Sequence, residues 1–144
     1  TASALVIDAW TAGRVARGER WAFARFRSSV AVDVGDEPVL RDAVLLDPAH
    51  GDLALRMGDI DACATVILAG KHFAAAAAHI VATTSQASVQ APRLAALVVA
   101  SPRPFGAVVR VAARSIAALT SALHDLVRAA AVDVLGDDPF ARRW

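Results

Sequence analysis

With 144 residues and 56% hydrophobic content, the chain has the size of one domain and ample material for a core that excludes water. Its 15 Lys and Arg against 14 Asp and Glu leave no charge excess to hold a phosphate backbone or an anionic membrane, so neither nucleic acid nor lipid is an expected partner. The single cysteine, Cys63, has no internal partner for a disulfide, which suits a reducing compartment and a cytoplasmic location.

Taken in chain order, Ala4 to Trp10 is apolar and β-prone, and Gly13 and Gly18 bracket a basic turn, Arg14-Val15-Ala16-Arg17. From Arg20 to Val34 the sequence reads as one long, bent or bulged strand: Trp21 and Phe23 fall on one face, and Phe26, Val30, Val32 and Val34 on the other. Gly35-Asp36-Glu37-Pro38 predicts a hairpin turn, with Val39 to Asp47 as the returning strand. The segment Asp47-Pro48-Ala49-His50-Gly51-Asp52 has loop chemistry. Beyond it the pattern changes to strand, helix, strand, strand, helix. Ile60 to Leu68 is continuously apolar near its end, as expected of a strand buried on both faces, and Gly70 closes it. Phe73, Ala77, Ile80 and Val81 keep the spacing of a helix face through an alanine run. Leu94 to Ala100 and Ala107 to Ala113 predict strands joined by the turn Ser101 to Gly106. Ser115 is placed to cap a second helix whose Ile116, Leu119, Leu123, Leu126 and Ala130 alternate spacings of three and four, and Gly136 is its stop. The fold class expected is mainly β (α+β), with antiparallel hairpins and two α-helices. No apolar stretch reaches the roughly 20 residues needed to span a bilayer. The chain opens on Thr1 without the order of a signal peptide and reads as a piece of a longer protein.

Enzyme motifs are missing: there is no Gly-x-Ser-x-Gly elbow, no Walker loop, no Gly-x-Gly-x-x-Gly after a strand and no His-Glu-x-x-His. Catalytic residues and a tightly bound cofactor are therefore not expected. His50, His72, His79, His124 and Cys63 are all possible ligands for nickel or zinc. His72 and His79, however, are about 10 Å apart along a helix and cannot share one ion. His50, His72 and His124 read as surface or capping residues, His79 as half-buried, and Cys63 as a small core residue. The arginine- and aromatic-rich segment Arg14 to Arg27 reads as a solvated or interfacial strand face. Glu19, between Gly18 and Arg20, reads as an ordinary salt-bridge partner.

Gly13-Arg14-Val15-Ala16-Arg17-Gly18-Glu19 resembles the Gly-Arg-x-Ala-x-Gly-Glu segment of the UreD (UreH) family of urease accessory proteins. In the family's order there follow a Trp/Phe-rich strand, Leu40-Arg41-Asp42, Arg56-Met57-Gly58, the hairpin ending Gly106-Ala107-Val108-Val109-Arg110-Val111, and a terminal segment from Leu135 through Pro139 and Arg142 to Trp144. The resemblance covers nearly all of residues 1–144 as the C-terminal portion of such a protein, with the family's strand-rich N-terminal half absent. It implies a scaffold for urease maturation that assists nickel insertion. Its partners would be apo-urease, UreF and, through UreF, the GTPase UreG. Nickel would pass through weak oxygen contacts in an internal tunnel. On that resemblance Glu19 is the candidate contact for nickel in transit, and Arg14, Arg56, Arg110 and Arg142 are candidates for fixing architecture or interfaces. The reading from pattern alone leaves a second option, a small ferredoxin-like regulatory or ligand-binding module built on the second half of the chain.

Overall fold

The computed structural model describes residues 2–87 and 95–136. Within them the elements run β1 (Ala4–Thr11), β2 (Phe26–Val34), β3 (Glu37–Leu46), α1 (Leu53–Met57), β4 (Ala62–Ala69), α2 (Ala74–Ala87), β5 (Ala96–Arg103), β6 (Gly106–Ala113) and α3 (Ile116–Leu135). β1, β4, β6 and β5 form a four-stranded sheet in that order, antiparallel throughout, while β2 and β3 form a separate antiparallel hairpin.

Period two explains how this sheet is covered. In β4 the alternate residues Ala62, Ala64, Val66 and Leu68, and in β6 Ala107, Val109, Val111 and Ala113, point to one face. There they meet Phe73, Ala77 and Ile80 from α2 and its leading turn, and Leu119, Leu123 and Ala130 from α3. Both helices therefore lie on one side of the sheet. Phe73 is 2% exposed, so its burial stabilises the fold by roughly 2–3 kcal/mol. The Ser115 hydroxyl accepts from the Ala118 N–H at 3.1 Å and starts α3, and Gly136, left-handed at φ 67°, ends it. At Gly106 (φ +147°) a β-carbon would sit 2.1 Å from the Leu68 carbonyl oxygen, so only glycine lets β6 approach β4 at this register.

The β4–α2–β5–β6–α3 unit, with β6 between β4 and β5, is the split βαβ arrangement of ferredoxin-like folds, and β1 pairs on the outer edge of β4. The β2–β3 hairpin lies on the face opposite the helices. Phe26 of β2 packs with its ring tilted, centroid 5.4 Å from that of Trp10 of β1, and Asp42 of β3 pairs with Arg110 of β6.

Three expectations need correction. The strand expected from Arg20 begins only at Phe26, because Trp21 takes a left-handed φ of 57° that a strand cannot contain. The face switch between Phe23 and Phe26 therefore falls at the start of β2 and not at a bulge within it; the register shift in β2 lies elsewhere, between Val32 and Asp33. The turn expected at Ser101 to Gly106 shrinks to Pro104 and Phe105, since β5 is an edge strand and accommodates Pro102. A third, five-residue helix, α1, follows the loop at 47–52, with the Asp52 carboxylate accepting from the Leu55 N–H. Leu94, expected to open β5, lies outside the described residues.

Candidate functional site

A second, smaller core joins the hairpin to β1. Trp21, 5% exposed, packs edge-to-face on Trp10 at 6.0 Å and on Phe23 at 5.9 Å, beside Ala12, Leu46 and Leu53. The Trp21 backbone N–H donates to the Ala12 carbonyl at 2.7 Å, which locks the reversal. A left-handed conformation costs a side-chain-bearing residue roughly 1–2 kcal/mol, and aromatic contacts worth about 0.5–1.5 kcal/mol each offset it. The Trp21 indole N–H is buried without a hydrogen-bond partner among the described residues.

The segment from Gly13 to Glu19 sits at the edge of this core as one turn of 3₁₀ helix, Val15–Arg17. Gly13 has φ +102°, and a β-carbon there would stand 2.7 Å from the Glu19 carbonyl oxygen, so the turn closes only on glycine. Arg14 holds Glu19 with both ends of its fork, Nε to Oε2 at 2.6 Å and Nη2 to Oε1 at 3.0 Å. The pair is open to solvent, with side chains 66% and 44% exposed. Arg20, which sequence reasoning did not single out, is the more enclosed arginine. It pairs with Asp61 and donates to the carbonyls of Gly58 and Ile60, fastening the aromatic turn to the start of β4. Arg25 and the Ala49 N–H both donate to the buried Asp47, and the backbone bond first, then the Arg25 contact, hold its carboxyl below the usual range.

The interior between hairpin and sheet contains a polar row. Asp8 of β1 stands opposite Thr65 of β4, and Thr65 opposite Arg110 of β6, so three polar side chains cross three apolar strands on one face. The hairpin lies over the row but leaves the Arg110 side chain 56% exposed. Ser28 donates to Asp8 at 2.5 Å, and Arg110 donates to Asp42 at 2.5 Å through Nη2. Thr65 is 4% exposed and the Asp42 side chain 12%. A cavity of about 220 Å³ adjoins the row, lined by Trp10, Val44, Cys63, Thr65, Leu97 and Arg110 among others. Burial pushes the Cys63 thiol up to about 11, so it stays protonated and is a poor metal ligand at neutral pH. The site thus offers carboxylate and hydroxyl oxygens and one guanidinium, a set suited to weak contacts with a hard or hydrated cation.

The structure does not bring the remaining sequence candidates to this row. Arg56 is exposed on α1 and makes no ion pair among the described residues, while Arg142 lies outside them. His72 places Nδ1 3.1 Å from the Ser3 hydroxyl. His79 is exposed rather than half-buried, and it is His124 that is half-buried, because α2 turns its 79 position outward. Among the described residues, no three of His, Cys, Asp and Glu converge on one point, and no helix is long and apolar enough to cross a membrane.

A family model described as UreD urease accessory protein matches residues 1–144. A relative from Sorangium cellulosum (strain So ce56), named Urease accessory protein UreD, is 46% identical over 146 residues, taking in 99% of this chain and 45% of the relative. One of the same name from Anaeromyxobacter sp. (strain Fw109-5) is 42% identical over 145 residues, 98% of this chain and 47% of the relative. Urease accessory protein D of Oryza sativa subsp. indica is 36% identical over 67 residues, 46% of this chain and 22% of that protein. The chain spans a little under half the length of the two bacterial relatives.

Proposed function

The chain belongs to the UreD family of urease accessory proteins, and from that premise we propose that it is one portion of a scaffold on which apo-urease receives its nickel, and not itself an enzyme. The match across the whole chain carries this reading. Nickel is cargo in it, not a resident cofactor. A conduit must pass the ion on, and oxygen donors hold it less tightly than imidazole or thiolate. The donors in the interlayer row support such a role: Asp8, Ser28, Thr65 and Asp42 are oxygen groups, and the nearby Cys63 stays neutral.

In this proposal Glu19 is a transient nickel contact that an ion must win from Arg14. Arg14, Arg56, Arg110 and Arg142 fix architecture or partner surfaces. The partners are apo-urease, UreF and, through UreF, UreG, in the cytoplasm. The split βαβ topology also suits a small regulatory or ligand-binding module, but a fold alone names no ligand, and the family match favours the scaffold.

A pull-down with the full-length protein tests the reading. Apo-urease and UreF are expected to co-purify with it, whereas a protein that retains neither partner is not this scaffold.

A further inference from the structure

The hairpin layer is narrower than the sheet beneath it. β2 lies over β1, through Ser28 on Asp8 and Phe26 on Trp10, and β3 lies over β6, through Asp42 on Arg110. The free edge of β3 therefore faces β5. On β5, Val99 stands opposite Arg110, and Leu97 opposite Ala112, so both point to the hairpin side. They are 47% and 41% exposed. The cavity between Val44, Leu97, Val99 and Cys63 lies beside them. β3 is ten residues long and pairs only with β2 among the described residues, which leaves alternate N–H and C=O groups along its other side without a ladder partner. An unpaired edge beside an uncovered apolar strip is the geometry of strand addition.

We propose that a third strand adds along the free edge of β3, its inward apolar side chains covering Leu97 and Val99, and that this strand comes from the part of the full-length family chain outside residues 1–144. The inference rests on reading the chain as one portion of a longer protein, which the 45% and 47% coverage of its two bacterial relatives supports. One added strand accounts for two independent features at once, the open ladder and the exposed strip. The lone polar residues that cross the sheet at Asp8, Thr65 and Arg110 would then be roofed along their whole length.

Amide hydrogen exchange on the native full-length protein tests the proposal, with an intact mass of that protein taken alongside. The β3 amides that do not point at β2 are expected to exchange on the order of 100-fold more slowly than exposed loop amides, as paired strand amides do. Val99→Lys should restore fast exchange at those amides and leave β6 unchanged. Loop-like exchange at those amides in a protein longer than 144 residues overturns the added strand alone. A native product confined to residues 1–144 overturns the longer-protein reading and the strand with it. Protection that appears only when a second protein is added, or only at high concentration, assigns the edge to a partner or a second copy and also overturns the proposal.

Discussion

Arg110 of β6 reaches out of the four-stranded sheet to Asp42 of β3, Nη2 to Oδ1 2.5 Å, and so ties together two layers that are 68 residues apart in sequence. The two ends of this contact differ in environment. The Asp42 side chain is 12% exposed and that of Arg110 is 56% exposed, so losing the arginine strands a largely buried carboxylate, whereas losing the carboxylate frees a cation that water can reach. Arg110→Met is therefore expected to cost about 1–3 kcal/mol in urea unfolding, and the Arg110→Met/Asp42→Leu pair clearly less than the sum of the single changes. Additive costs would mean that the contact does not join the layers.

Asp47 makes acid stability measurable at one residue. Its carboxyl is held below the ordinary 3.8 by the Ala49 N–H and then by Arg25. A depressed folded value favours the native state above the unfolded value and loses that contribution as pH falls through the folded one. The full chain should thus be more stable than its Asp47→Asn variant at pH 6, and the difference should shrink as pH falls below about 4. Denaturant midpoints measured from pH 2 to pH 7 check this. A gap that stays constant over that range would remove the charge from the explanation.

In α3, Leu123 is 7% exposed and packs in the main core, while its neighbour His124 is half-buried. The two side chains point about 100° apart around the helix. Leu123→Asp is expected to cost upwards of about 3 kcal/mol by burying an unpaired charge, and His124→Ala about 1 kcal/mol or less. Equal losses in thermal unfolding would put the wrong face of the helix against the sheet.

This helix also shows what the sequence makes legible. Its spacing of three and four, with Ser115 and Gly136 at its ends, contains the whole element, and the apolar run before Gly70 likewise contains a strand buried on both faces. Where structure depends on distant residues, local pattern misleads. Trp21 and Phe23 look like strand residues because aromatics favour strands, but the edge-to-face contact with Trp10, with Phe23 on its other side, holds Trp21 in a reversed turn instead. α1 is too short, at five residues, to show a period. Glu19 is visible from its motif, and its exposed pairing with Arg14 is what a five-residue separation permits. The polar row escapes local reading because the strand register, not the sequence, brings Asp8, Thr65 and Arg110 together. A usable signal was still present: each is the one polar residue in the interior of a strand that is otherwise apolar up to its last residue.

The central claim, that this chain is part of a nickel-delivery scaffold with oxygen contacts along the way, is tested most directly by the nickel content of urease co-expressed with its other accessory proteins. The measurement compares the full-length form of this protein, its Glu19→Ala and Glu19→Gln variants, and its omission. The account predicts high nickel content with the intact protein and low content on omission. It predicts a reduced content with Glu19→Ala and a smaller reduction with Glu19→Gln, which keeps an oxygen acceptor but not the charge, while UreF still co-purifies with both variants. Nickel content unchanged by omitting the protein would contradict the account. Content unchanged by Glu19→Ala alone would remove Glu19 from the ion's path.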